Sequence, residues 1–276
     1  SFAEKKLLRY HRDMRIVIKV GTRTIVGKNG LNHQKIKNLM DEVAWVFQEG
    51  HEVILVSSGA IGTGLSFVHC VGPREKKVAA AVGQPFLMHH YIREAKKHKI
   101  SIGQILLLSG DVTNKERFKN LVLNIEAIIE CRVLPIINEN DIMKGEDLLV
   151  GDNDTLSAMV AVGLKADKLI ILTNQNGLYT GNPDHNKNAK LIKNVAKIDP
   201  KIEALCRVGK SDLGVGGMSV KVQAAKYATE RGVETLIGNG DKNGTIIGAL
   251  GKNFSGTRFM IKNNPSSRAK LTTGQE

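Results

Sequence analysis

The chain has 276 residues, 42% of them hydrophobic, and a formal net charge of +13. That length holds one large α/β domain or two small ones, and the apolar content is that of an ordinary globular protein. No apolar run reaches the roughly 18 to 20 residues of a bilayer crossing, and Ser1 to Asp13 is charged with no hydrophobic centre, so neither a membrane span nor a signal peptide is expected.

Residues 1–14 read as a tail. Arg15 to Val20 is a first strand, ending at Gly21-Thr22. Gln34 to Glu49 is an amphipathic helix. Its Ile36, Leu39, Met40, Val43, Val46 and Phe47 fall at helical spacing, and Gly50 stops it. Glu52 to Val56 is a second strand, ending at Ser57-Ser58-Gly59-Ala60, and a Gly-rich, mobile-looking stretch runs on to Glu75. Val78 to Lys97 is expected to be helical, with an interruption near Gly83 to Pro85. Gln104 to Leu108 is a third strand, Phe118 to Cys131 a helix, and Val133 to Ile137 a fourth strand. Asn153 to Leu164 is a helix. Lys168 to Leu172 is a fifth strand, ending at Thr173-Asn174. Met218 to Arg231 is a helix, and Glu234 to Ile237 a strand. The stretch after Asn263 reads as a second tail.

Strands alternate with helices, and each strand is a continuous apolar run. That pattern predicts an α/β fold with a mainly parallel sheet covered on both faces. Lys19, Ser58, Asn138 and Thr173 each stand at the C-terminal end of a different strand. In an open α/β sheet those ends share one edge, so the four groups are expected to converge there. A weak boundary falls near Gly163 to Ala166.

Three cysteines, Cys70, Cys131 and Cys206, stand far apart, with no Cys-x-x-Cys pair. A disulfide framework and a zinc site are therefore not expected, and a reducing cytoplasm fits. Cys131 reads as a core residue. The positive charge admits two explanations, a nucleic-acid surface or steering of anionic substrates. The lysines are scattered and aromatics make up only 4% of the chain. No stacking platform is visible, so no specific nucleic-acid binding is expected.

The densest chemistry lies at Asn138-Glu139-Asn140-Asp141 and Gly151-Asp152-Asn153-Asp154. Asn offers donors and an acceptor, which suits the ammonium and carboxylate of an amino acid; Asp suits a metal, an ammonium or a lysine. Taken alone, the second block also reads as a helix N-cap at Asn153. Gly214 to Lys221 is the best phosphate nest, with glycines ahead of a helix that carries Lys221. The dinucleotide fingerprint fails, because Ser219 stands where a third glycine belongs. Ala204 to Ser211 misses a P-loop by its first glycine. Lys19, on an otherwise apolar strand, either snorkels to solvent or meets an anion. No Gly-x-Ser-x-Gly elbow accompanies Ser57-Ser58, so a serine hydrolase is set aside. His89 and His90 read as structural.

Five blocks in order resemble the amino-acid kinase family: Val17 to Thr22, Ser57 to Ala60, Pro135 to Asp141, Val150 to Asp154, and Gly214 to Lys221. Arg117-Phe118 and Leu172 to Tyr179 are similar too, and the likeness runs from about Arg15 to Met260. Among family members the blocks look most like those that phosphorylate glutamate. The resemblance implies a three-layer α/β/α sandwich over 15–262, with a substrate half at about 15–166 and a nucleotide half at about 167–262. It implies transfer of phosphate from ATP to the side-chain carboxylate of L-glutamate, the first step toward proline. By the same resemblance Ser58, Asp141 and Asn153 would contact glutamate. Lys19 and Lys221 would contact the transferring phosphate, and Asp154 would orient them. Thr173, Asn174, Gly216, Gly217, Met218, Ser219 and Lys221 would line the nucleotide site. Mg²⁺ would be held through the nucleotide phosphates, with no dedicated protein metal site. Inhibition by proline and a homo-oligomer are further family implications.

The residue chemistry agrees. A carboxylate nucleophile is already ionised at neutral pH, with a reference pKa of about 4.3, and needs no general base. The protein then has to align donor and acceptor and neutralise charge on the transferring group. The family pattern has Asp where Asn174 stands, and Asn keeps the acceptor but loses the charge. Many bacterial members carry a C-terminal PUA module, which is expected here to be absent or removed, since little sequence follows Met260. Kinases of acetylglutamate or aspartate are the nearest alternatives, but they usually carry Lys-x-Gly-Gly where this chain has Lys19-Val20-Gly21-Thr22. A basic nucleic-acid-binding regulator is a more distant one.

Overall fold

The computed structural model describes residues 14–27, 30–68, 72–143, 152–183, 185–206, 217–251 and 254–261. Residues 1–13 of the first expected tail, the second expected tail, Cys70, Gly151, the Gly209-Lys210-Ser211 near-match and Gly214 to Gly216 lie outside the described residues.

Arg15–Val20 forms β1, followed by α1 (Thr22–Ile25) and a small hairpin of β2 (Val26–Gly27) and β3 (Gly30–Leu31). Next come α2 (His33–Gln48), β4 (Glu52–Val56), α3 (Ala60–Gly64) and α4 (Glu75–Lys97). Then β5 (Ile102–Leu107), α5 (Ser109–Thr113), α6 (Lys115–Glu130) and β6 (Leu134–Glu139) follow. The remainder is α7 (Asn153–Gly163), β7 (Lys168–Thr173), β8 (Asn194–Val195), α8 (Pro200–Leu205), α9 (Met218–Thr229), β9 (Glu234–Asn239), α10 (Thr245–Leu250) and β10 (Gly256–Phe259).

Among the described residues the main sheet has eight strands, in the order β5-β6-β4-β1-β7-β9-β10-β8. Neighbours pair parallel except β9 with β10. Helices cover both faces, so the architecture is a three-layer α/β/α sandwich. One face packs Ile16, Ile18 and Val20 against α2 and α4. The other packs Val17, Ile54, Val56, Ile137 and Ile171 against α6, α7 and α9. Two buried faces explain why the strands read as unbroken apolar runs.

From β1 the chain first builds strands on one side of it, β4, β6 and β5, then crosses to β7, β9 and β10 on the other. The crevice at the C-terminal ends beside β1 is therefore a topological switch point, the usual ligand position in open α/β sheets.

Three sequence expectations are corrected. The helix over residues 78–97 is not interrupted: α4 runs from Glu75 to Lys97 with Pro85 inside it. Gly83 there serves packing, since a Cβ at that position would lie 1.9 Å from the Ala60 carbonyl oxygen of α3. Cys131 is exposed, not core. The buried face of α6 runs through Ile125 and Ile129, and a residue two places further on points to the opposite side of the helix. The stretch after Ser58 is not simply an open loop, because α3 packs against α4 there.

Candidate active site

Side-chain direction alternates along a strand, so Lys19 of β1 shares a face with Val17, the face covered by α7 and α9. Lys19 is thereby aimed at the start of α7 and the first turn of α9. Its Nζ lies 2.6 Å from Asp154 Oδ1, and Lys221 Nζ lies 2.9 Å from Asp154 Oδ2. Side-chain exposure in this triad is 6% for Lys19, 9% for Lys221 and 2% for Asp154, so none of the charges is solvated away. Lys19 does not snorkel; it is held.

Burial is the largest influence on Lys19 and pushes its ammonium below the ordinary 10.5; Asp154 opposes this and Lys221 adds to it. Burial by itself would raise the Asp154 carboxyl, but the two lysines outweigh it and hold the group below the ordinary 3.8. Two ammonium groups thus share one carboxylate, and a further anion brought to the crevice is attracted by both. The α7 N-cap is Asp152 rather than Asn153: its side chain accepts from the backbone N–H of Asp154 and Thr155. This cap fixes the turn that carries both Asn153 and Asp154.

Beside the lysines lies a pocket of amides and hydroxyls. The register pairs Val56 with Lys19 and with Ile137, so Ser57 and Asn138 follow side by side at the strand ends. The Asn153 amide Nδ2 donates to Ser57 O at 2.9 Å, Ser58 Oγ at 2.9 Å and Asn138 Oδ1 at 3.0 Å. The Asn153 Oδ1 is buried and accepts no hydrogen bond. Asp141 stands in the turn after β6, half-buried, its backbone N–H on Glu139 O. Two residues of this pocket carried no sequence signal. Gln84 of α4 accepts from Asn138 Nδ2 at 2.8 Å, and the fully buried Tyr91 lies 2.9 Å from Ser57 Oγ by its hydroxyl. Both sit inside a helix whose periodicity spoke only of packing.

On the other side of β1, Thr173 ends β7 with its hydroxyl 3.3 Å from Asn174 Oδ1, and Asn174 is exposed. Gly217 caps α9, ahead of Met218, Ser219 and the buried Lys221. Gly216 lies outside the described residues. Gly21 follows β1, and a Cβ there would stand 3.2 Å from Leu172 O and 3.9 Å from Lys19 Nζ, so its lack of a side chain keeps the approach to the lysine open. The Thr24 hydroxyl is buried without a partner near the same turn. His89 and His90 lie on α4 in contact with each other and, for His90, with His33, apart from the triad. The structure thus brings Lys19, Asp154 and Lys221 together, and Ser58, Asn138 and Asn153 together.

Among the described residues no cluster of three or more His, Cys, Asp or Glu side chains is placed to hold a metal. Asp154 is engaged by two lysines and Asp152 by the α7 N-terminus. That donor set fits a divalent cation carried on nucleotide phosphates better than one caged by protein.

The sandwich, with paired buried lysines at its switch point, defines a site of the phosphoryl-transfer kind. The amino acid kinase family model matches residues 14–239, and the chain belongs to that family. It is 42% identical over 254 residues to the glutamate 5-kinase of Clostridium acetobutylicum, covering 90% of this chain and 95% of the relative. The glutamate 5-kinase of Trichlorobacter lovleyi is 41% identical, over 93% of this chain and 69% of its own length. A Giardia lamblia carbamate kinase solved with AMP-PNP shares the fold at TM-score 0.65 and 17% identity, over 90% of this chain and 98% of that one. An isopentenyl phosphate kinase shares it at TM-score 0.63 and 16% identity, over 89% of this chain and 100% of that one.

Proposed function

We propose that this chain is an ATP-dependent glutamate 5-kinase. It transfers the γ-phosphoryl group of ATP to the side-chain carboxylate of L-glutamate, giving L-glutamyl 5-phosphate, the first step of proline biosynthesis. The observation that carries this reading is the Lys19–Asp154–Lys221 triad beside a pocket of Asn and Ser groups.

The γ-carboxylate oxygen forms the new bond to phosphorus while the bond to the β,γ-bridging oxygen breaks. No proton has to leave the nucleophile. Lys19 and Lys221 take up the charge that spreads over the equatorial oxygens, and Asp154 between them fixes their positions. Asp141 and the free Asn153 carbonyl receive the α-ammonium, and Ser58 holds a carboxylate. Thr173, Asn174 and the segment from Gly216 to Lys221 line the nucleotide side. Mg²⁺ carried on the nucleotide phosphates would supply additional charge neutralisation. Residues 15–262 act as one kinase domain, in the cytoplasm, as a homo-oligomer subject to inhibition by proline.

The test is ATP turnover against a panel of free amino acids and N-acetylglutamate. L-glutamate should be strongly preferred. Equal turnover of N-acetylglutamate, which has no ammonium, or preference for aspartate would overturn the assignment.

A further inference from the structure

We infer that Gln84 is a positioning residue that sets this site's selectivity for substrates carrying an α-ammonium, an inference that rests on the functional reading above. Gln84 is half-buried on α4, one residue after Gly83, where α4 meets the α3 backbone so closely that no Cβ fits. Its Oε1 accepts from Asn138 Nδ2 at 2.8 Å.

A side-chain amide has a donor end and an acceptor end, so this bond and the Glu139 backbone N–H on Asn138 Oδ1 together decide which way the Asn138 amide faces. With Nδ2 committed to Gln84, Asn138 Oδ1 accepts from the Glu139 backbone N–H at 2.9 Å and from Asn153 Nδ2 at 3.0 Å. The Asn153 amino end, already facing Ser57 O and Ser58 Oγ, is thereby fully oriented. Its carbonyl end is left buried with nothing to accept. A buried acceptor without a donor costs stability, and such a group is explained when a ligand completes it. An ammonium has donors only, so it fits that oxygen; a methylene in its place leaves the oxygen unpaired.

Polarity therefore runs in one direction, from the Gln84 acceptor through Asn138 to the Asn153 carbonyl. Without the acceptor at position 84, Asn138 Nδ2 loses its partner and the Asn138 amide is held from its carbonyl end alone, by the Glu139 N–H and Asn153 Nδ2. The amide pair that presents the Asn153 carbonyl to the substrate ammonium is then held less firmly. Gln84 need not touch substrate for this to happen, and the transferring phosphoryl group is not involved.

The experiment compares wild type, Gln84→Met, which keeps the length and removes the acceptor, and Gln84→Glu, which keeps an acceptor. For each, kcat and KM are measured for L-glutamate and for glutarate, its counterpart without the ammonium, and the ratio of kcat/KM values is taken. Gln84→Met should raise the glutamate KM about tenfold, the scale of a hydrogen bond to a charged group, with kcat and the ATP KM within about twofold. Glutarate should change little, so the ratio should fall about tenfold. Gln84→Glu should restore it to within about threefold. Gln84→Leu replaces Gln84→Met if the latter does not fold. An unchanged ratio in the apolar variant, or an equal loss in Gln84→Glu, overturns the inference. Wild-type activity on another amino acid would refute the functional reading alone, and the relay is then read from that amino acid against its own deaminated counterpart.

Discussion

At the scale of single residues the chemistry turns on Asp154, which is paired with two lysines and 2% exposed in its side chain. Lys19→Ala and Lys221→Ala should each lower kcat by about 10²–10³-fold, the loss expected for one preorganised charge-stabilising group, with glutamate KM moving less. Asp154→Asn should mainly lower kcat, since two buried ammonium groups lose the charge that holds them, whereas Asn153→Ala should mainly raise the glutamate KM. Steady-state kinetics with both substrates varied, together with melting temperatures, check this. Lower melting with wild-type kcat and KM in both variants would reduce the pair to helix-start residues. A different carboxylate reports on stability. Burial alone would raise the Glu234 carboxyl, but Lys168 and Arg258 hold it below the ordinary 4.5. On acidification the unfolded chain then binds this proton before the folded one does. The stability that Glu234 contributes is present above pH 4.5 and is lost as pH falls through its depressed folded value. Urea denaturation at pH values between 6 and 3 should show Glu234→Gln with a shallower decline than wild type; parallel declines would contradict this.

At the scale of elements the pocket depends on how closely α3 and α4 approach. A Cβ at Gly64 would lie 1.8 Å from the Ala79 carbonyl oxygen, and one at Gly83 lies 1.9 Å from that of Ala60. Backbone cannot yield as a flexible side chain would, so Gly83→Ala must separate the two helices. It should cost about 1–3 kcal/mol, as overpacking does. It should also raise the glutamate KM, because α3 begins directly after Ser58 and Gly59, and α4 carries Gln84. Asn32→Ala makes the control: Asn32 caps α2 by accepting from the Lys35 N–H, away from the chemistry. It should cost about 1 kcal/mol and leave kinetics unchanged. Denaturant midpoints and KM values for the two variants separate the effects, and a wild-type KM in a destabilised Gly83→Ala would show that the approach of α3 and α4 serves folding alone.

At the scale of the whole molecule the sheet order and the charge matter. The +13 balance is expected to be incidental to function. Duplex and single-stranded RNA should bind weakly and lose binding steeply with added salt; sub-micromolar, sequence-selective binding at physiological salt would contradict this. Much was legible from local pattern. Unbroken apolar runs marked β1, β4, β6 and β7 because both faces of the sheet are buried, and the 3.6-residue period marked α2. Lys19, Ser58, Asn138 and Thr173 could be placed at strand ends because a parallel sheet lines those ends along one edge. The short pieces α1, β2, β3, α5, β8, α8, α10 and β10 escaped notice, since none is long enough to show a period. The course of α4 through Pro85, and the exposure of Cys131, depend on what faces them and not on their own neighbours in sequence. By itself the sequence determined the α/β class, the polar strand ends and the candidate lysines, because these follow from local periodicity and residue chemistry. Only the tertiary structure decided that Asp154 is shared between Lys19 and Lys221, and that Gln84 and Tyr91 reach the pocket. Those contacts join residues 34 to 135 positions apart, and which end of an amide faces which partner is settled only when the strands and helices close around it.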